Sequence, residues 1–166
     1  MVLIKKKFGL SQFKQDKYIP ISKYKLQIAV GFDAAHRLSD YHGECKRIHG
    51  HFYKIIVTIA STKLNEWGAV IDFKDFKRLI KRHITEKYDH KLILKNRDKL
   101  NNRLDKVLPK SWIVWMNDNP TAENLAKDIY KNLLPMFKIR KGKIKLVSVA
   151  VFETSTSSAI YNEIKS

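Results

Sequence analysis

The sequence predicts an α+β domain built on an antiparallel four-stranded sheet with two helices on one face. Three observations predict it. Residues 25–36 and 49–61 alternate apolar and polar side chains, the period of a half-buried strand. Residues 73–84 and 125–136 carry apolar side chains three and four apart, the period of a helix with one face in a core. Alternation returns at 144–154 and 159–161, and the order strand, strand, helix, helix, strand, strand leaves both helices to cover one face of one sheet. At 166 residues the chain suits a single core. Residues 25–166 therefore read as one domain, preceded by a basic arm over residues 1–24.

Each element has its own signature. The first strand presents Leu26, Ile28, Val30, Phe32, Ala34 and His36 on one side. A loop with Gly43 as its turn residue leads to the second strand, where Ile55, Val57 and Ile59 share a side with His49 and His51. The turn Asn65-Glu66-Trp67-Gly68 precedes Asp72, placed to cap a helix whose apolar positions are Phe73, Phe76, Leu79, Ile80 and Ile84. Asp89-His90 follow it. Residues 95–116 are polar and charged with some helical character, read as an insertion, and end in a short strand candidate at Trp112-Ile113-Val114-Trp115. Thr121 is placed as N-cap of the second helix, with Glu123 set favourably against its dipole and Leu125, Ile129, Leu133 and Met136 as its apolar stripe. In the last long strand Val147, Val149 and Val151 fill one side and Glu153 continues it. A carboxylate at the end of a valine row needs a partner if it is buried.

Composition narrows the functional classes. The 33 Lys and Arg against 16 Asp and Glu leave a net charge of +17, which favours an anionic, phosphate-bearing ligand. The basic residues are scattered, without aromatic interleaving or a helix-turn-helix or zinc-finger spacing, so specific nucleic-acid recognition is not expected. No apolar run approaches the roughly 18 residues of a membrane span, and the start Met1-Val2-Leu3-Ile4-Lys5-Lys6-Lys7 lacks the long apolar core of a secretory signal. We expect a cytoplasmic protein with no membrane partner. A single cysteine, Cys45, can form no internal disulfide and is either a small buried hydrophobe or a working thiol.

The motif that decides function is His49-Gly50-His51, with His36 on a preceding strand and Cys45 just before the pair. Residues two apart on a strand face the same way, so the pair presents two imidazoles to one point and His36 adds a third. A lone histidine on an apolar face is ordinarily a hydrogen-bonded core residue; the combination is what carries weight. Three neutral nitrogens with a position left open is the catalytic zinc arrangement, whereas structural sites are closed by four ligands and rich in cysteine. The sequence suggests a Zn2+ enzyme.

Taken together, Phe32-Asp33-Ala34-Ala35-His36-Arg37-Leu38, Cys45-Lys46-Arg47-Ile48-His49-Gly50-His51, Gly68-Ala69-Val70-Ile71-Asp72-Phe73, Asp89-His90-Lys91, Asn119-Pro120-Thr121-Ala122-Glu123-Asn124-Leu125 and Phe152-Glu153-Thr154 resemble the family of 6-pyruvoyl-tetrahydropterin synthase and 6-carboxy-tetrahydropterin synthase. The resemblance covers most of residues 25–162. It implies the tunnelling fold (T-fold), with subunits side by side in a trimer, two trimers stacked in a hexamer, and active sites at subunit contacts. The short gap between Cys45 and His49 resembles the carboxy-tetrahydropterin branch. The implied reaction takes 7,8-dihydroneopterin triphosphate to 6-carboxy-5,6,7,8-tetrahydropterin, acetaldehyde and triphosphate, a step of the queuosine and archaeosine deazapurine pathway.

The resemblance also implies roles. Zinc on His36, His49 and His51 would polarise the substrate's side-chain oxygens. Cys45 would be the first base, Asp89 and His90 a second acid/base pair, and Glu153 the anchor of the pterin edge, whose parallel donors suit one carboxylate. Thr121 would also touch the pterin, or serve only as a cap. Glu44, directly before Cys45, could compete for the base role. Two alternatives stand beside this reading: a 6-pyruvoyl-tetrahydropterin synthase or a relative that cleaves the dihydroneopterin side chain, and a zinc-stabilised basic RNA-binding module without catalysis.

Overall fold

The computed structural model describes residues 23–138 and 144–163. Six strands, β1 (Tyr24–His36), β2 (His49–Ser61), β3 (Lys91–Lys95), β4 (Ile113–Met116), β5 (Ile144–Phe152) and β6 (Ser158–Tyr161), form one sheet in the order β4-β3-β1-β2-β5-β6. Three helices accompany them: α1 (Phe73–Tyr88), α2 (Asn101–Val107) and α3 (Ala122–Lys138). The basic arm expected over residues 1–24 lies outside the described residues apart from Lys23 and Tyr24.

The α+β class holds, but the sheet is neither four-stranded nor wholly antiparallel. β1, β2, β5 and β6 are the expected antiparallel set. β3 and β4 extend it on the β1 side, both in parallel pairing. Parallel neighbours need a crossover, and α2 supplies it between β3 and β4. The segment 95–116 thus contributes a helix and an edge strand. Lys91-Leu92-Ile93-Leu94-Lys95 escaped notice because five residues bounded by lysines show no alternation to read.

The long hairpin fixes the rest. Its register sets Phe32 opposite Tyr53, Val30 opposite Ile55 and Ile28 opposite Val57, so both strands turn their apolar side chains to the same face. There they meet Phe76, Ile80, Ile84 and Tyr88 of α1, spaced four apart on one face of the helix, and Leu125, Ile129 and Leu133 of α3. Each of these helix residues is essentially inaccessible, and full burial of such a side chain contributes about 1.5–3 kcal/mol. Asp72 accepts a hydrogen bond from the Asp75 amide at 3.0 Å and caps α1, as expected. Phe73, expected in the apolar stripe, is instead 59% exposed beside that cap. Thr121 Oγ1 accepts from the Asn124 amide at 3.3 Å at the start of α3. Among the described residues no helix is long and apolar enough to cross a membrane.

Candidate metal centre and active site

The hairpin ends at the site. His36 closes β1 and pairs with His49, and Ala34 pairs with His51, so the three imidazoles share the helix-facing side of the sheet. Their ring centroids lie 4.5 Å (His36–His49), 4.9 Å (His49–His51) and 5.1 Å (His36–His51) apart. One nitrogen from each falls within 4.8 Å of the others.

Backbone carbonyls set the orientation of two rings. His36 Nδ1 lies 2.7 Å from the Pro120 carbonyl and His49 Nδ1 lies 2.9 Å from that of Arg47. A carbonyl only accepts, so each Nδ1 carries the hydrogen and each Nε2 keeps its lone pair. Those two Nε2 atoms are 3.1 Å apart. Two lone pairs at that distance repel unless something positive lies between them. A divalent ion about 2.0–2.1 Å from each nitrogen fits such a spacing, because tetrahedral ligands at that range are about 3.3 Å apart. The donor set therefore fits a metal. His36 is 2% exposed, and burial first, then the neighbouring His49 and His51, push its pKa down to about 4 against the opposing hydrogen bond to Pro120. It is neutral at pH 7, the form that binds a metal.

Beside the imidazoles stand Glu153 and Tyr53, and Cys45 lies close enough to Tyr53 to act on its phenol. Glu153 follows β5, and its Oε1 is 3.7 Å from His36 Nε2. Tyr53, on the His49 and His51 side of β2, packs its ring 5.8 Å from His36 and 5.5 Å from His51. Its hydroxyl is buried with no hydrogen-bond partner among the described residues. Burial first, then the charge of Glu153 and the approach of the hydroxyl to that carboxylate, then Cys45, hold this phenol well above its ordinary pKa; the approach to Glu153 falls short of full hydrogen-bond geometry. Cys45 is half-buried in a single 3-10 turn, Glu44–Lys46. Glu44 points away: its carboxylate pairs with Arg47 at 2.5 Å, with both side chains mostly exposed.

Asp89 and His90 are held elsewhere. Asp89 Oδ1 accepts from the Asp33 amide at 3.0 Å and lies 3.1 Å from His90 Nδ1. The His90 amide donates to the Asp33 carbonyl at 2.7 Å, which holds the residue at φ +56°, a left-handed conformation uncommon for a side-chain-bearing residue. The imidazole is 80% exposed. With Asp33, Ala35, Phe52, Leu92 and Trp112, and with His51 of the imidazole cluster, it lines a cavity of about 560 Å³. Asp33, Ala35 and Phe52 have the parity opposite to the core positions while Ala34 and His51 share it, so the cavity is bordered by residues of both parities near the end of the β1–β2 pairing. Among the described residues no hydrogen bond, ion pair or ring contact joins His90 to the three imidazoles.

The family model described as 6-pyruvoyl tetrahydropterin synthase matches residues 25–164. The chain belongs to that family. Curated members named 6-carboxy-5,6,7,8-tetrahydropterin synthase are similar to it: that of Rickettsia conorii is 34% identical over 125 residues, covering 75% of this chain and 90% of the relative. That of Bacillus subtilis is 31% identical over 153 residues, 92% of this chain and 93% of the relative. In structure, the 6-pyruvoyl tetrahydropterin synthase of Plasmodium falciparum superposes with a TM-score of 0.63 at 20% identity, covering 84% of this chain and 98% of that one. At that identity it speaks for the fold alone, and the fold is that of the 6-pyruvoyl tetrahydropterin synthase family.

The sequence did not single out Tyr53 or the Pro120 carbonyl. Tyr53 had a readable signal, since it is the next residue of His49 parity after His51. Pro120 had none, because its contribution is a backbone oxygen delivered from 84 residues away.

Proposed function

We propose that this protein is a zinc-dependent 6-carboxy-5,6,7,8-tetrahydropterin synthase, which converts 7,8-dihydroneopterin triphosphate to 6-carboxytetrahydropterin, acetaldehyde and triphosphate in a deazapurine pathway. The observation that carries the reading is the cluster of three inward imidazoles, 3.7 Å at its nearest from Glu153, in a chain whose family members bear that name. His36, His49 and His51 would hold the zinc. When bound, it supplies Lewis-acid polarisation of the substrate's side-chain oxygens.

The chain's own residues do the rest. Glu153 accepts two parallel N–H donors from the pterin edge and so fixes the ring beside the metal centre. Cys45 takes a proton from the substrate side chain as a base. His90, oriented by Asp89 through the 3.1 Å contact, gives or takes the second proton. Thr121 would also touch the pterin; it follows Pro120, whose carbonyl holds His36, and its hydroxyl accepts the α3 cap bond from the Asn124 amide. The exposure of His90, which has no bond or ring contact to the imidazoles among the described residues, supports a homo-oligomer, trimer or hexamer, in which a neighbouring copy brings its own His90 to the site. The net charge of +17 favours capture of the triphosphate.

The experiment is product analysis of purified, metal-loaded protein given 7,8-dihydroneopterin triphosphate. Acetaldehyde with triphosphate supports the reading. Triphosphate without aldehyde identifies a pyruvoyl product, and glycolaldehyde identifies side-chain cleavage. Cys45→Ala is expected to keep fold and metal and to lose turnover by about 10²-fold or more.

A further inference from the structure

The buried carboxylate of Asp98 is used by nothing above, and it is tied to the turn that carries Cys45. It sits in the segment between β3 and α2, with no exposed side-chain surface. Arg97 before it adopts φ +63°, and the Asp98 amide closes the turn on the Lys95 carbonyl at 3.1 Å. That conformation is disfavoured for a residue with a side chain, and it points the next carboxylate inward. There Asp98 Oδ1 accepts from Arg37 Nη1 at 3.0 Å and from the Leu100 amide at 2.9 Å, while Oδ2 accepts a short bond from the Ser39 hydroxyl.

Arg37 is the second link. It follows His36 directly and is 16% exposed. While Nη1 meets Asp98, its Nε donates to the Lys46 carbonyl at 2.9 Å. Next to it the Leu38 amide donates to the Cys45 carbonyl at 2.8 Å. One planar guanidinium thus joins a buried carboxylate to the backbone on the far side of Cys45, and the adjacent residue holds Cys45 itself. A guanidinium can serve two acceptors in fixed directions; an ammonium on a flexible stem cannot. A second branch runs from Ser39, whose amide and carbonyl are both bonded by the Asn119 side chain at 2.8 and 3.0 Å, towards Pro120 and so to His36. The thiol and the first imidazole are therefore referred to the same carboxylate.

We propose that Asp98 is a positioning residue: through Arg37 it fixes the Glu44–Lys46 turn so that the Cys45 thiol stands at a set place beside the imidazoles. The segment between β3 and β4 then serves the site as well as the sheet edge. That Cys45 acts as base rests on the function proposed above; that Arg37 and Asp98 set its position does not.

The test uses Arg37→Lys and Asp98→Asn in the metal-loaded full chain, with thermal unfolding and metal content as controls. Cys45 is the one cysteine of the sequence, so alkylation by iodoacetamide, followed by intact mass, reports on its surroundings alone. Both variants are expected to bind metal as the parent does and to alkylate at a rate changed about threefold or more. Turnover should fall about tenfold to a hundredfold with KM within about twofold, the signature of a misplaced reacting group. Asp128→Asn is the comparator. Asp128 bonds Lys87, Tyr88 and Asn132 between α1 and α3, so its loss should lower the unfolding temperature and leave alkylation unchanged. The proposal is overturned if folded, metal-bearing Arg37→Lys or Asp98→Asn protein alkylates at the parental rate, or if Asp128→Asn changes alkylation as much. A parent without turnover on dihydroneopterin triphosphate would refute the proposed reaction, while the alkylation comparison would still decide the role of Asp98.

Discussion

Replacing Glu153 by Gln changes one oxygen for an NH2 group and keeps the shape of the side chain. If this carboxylate accepts two parallel donors from a pterin, the substitution removes one charge-assisted bond, about 1.5–3 kcal/mol, and turns a donor towards a donor, about 1–3 kcal/mol more. Glu153 is 28% exposed, and water screens part of each contribution. The lower end is therefore appropriate, about 3 kcal/mol, which corresponds to a loss of roughly a hundredfold in affinity. The assay is fluorescence titration of the metal-loaded protein with biopterin, a pterin lacking the triphosphate, so that ring recognition is read apart from phosphate binding. Two of the three imidazoles, His36 and His49, are oriented by the Pro120 and Arg47 carbonyls and not by Glu153; metal content should be unchanged. Parental affinity for biopterin in the variant would refute the anchoring role. Loss of metal in step with loss of pterin would show that Glu153 serves the ion instead.

Two further outcomes follow from the buried groups. His36 has a folded pKa of about 4, below its ordinary 6.5, so between these values the unfolded chain binds a proton that the folded metal-free chain does not. Stability is therefore fully present above about pH 6.5 and falls as pH drops towards 4, by about 1.4 kcal/mol per unit at most. Thermal unfolding in chelator across that range measures it, and a flat profile would contradict the burial of a neutral ring. Tyr53→Phe removes a buried hydroxyl with no hydrogen bond of full geometry among the described residues, a group whose burial costs about 1–3 kcal/mol, part of which its approach to Glu153 offsets. The metal-free variant should melt higher by about 2–4 °C for each kcal/mol recovered, and calorimetry showing a lower midpoint would mean that the hydroxyl is bonded after all.

The sequence by itself determined the helix-facing alternation of β1 and β2, and with it the meeting of His36, His49 and His51, because side-chain parity on a strand is a local property that needs no knowledge of the rest of the chain. It also determined the two long helices, through apolar spacing and the Asp72 and Thr121 caps, and the place of Glu153 after Val149 and Val151; Val147, expected in the same row, leaves it because the register against β2 shifts between Thr58 and Ile59 and Leu146 takes the core position. Only the tertiary structure decided that β3 and β4 join the sheet in parallel, since a short apolar run between lysines reads alike in several settings until a neighbour pairs with it. It alone placed the Pro120 carbonyl behind His36, packed the Tyr53 ring against His36 and His51, turned Glu44 outward to Arg47, and carried Asp98 across to Arg37. The Pro120–His36 and Asp98–Arg37 links join residues far apart in the chain through a single atom, and no periodicity records which atom a distant segment will bring.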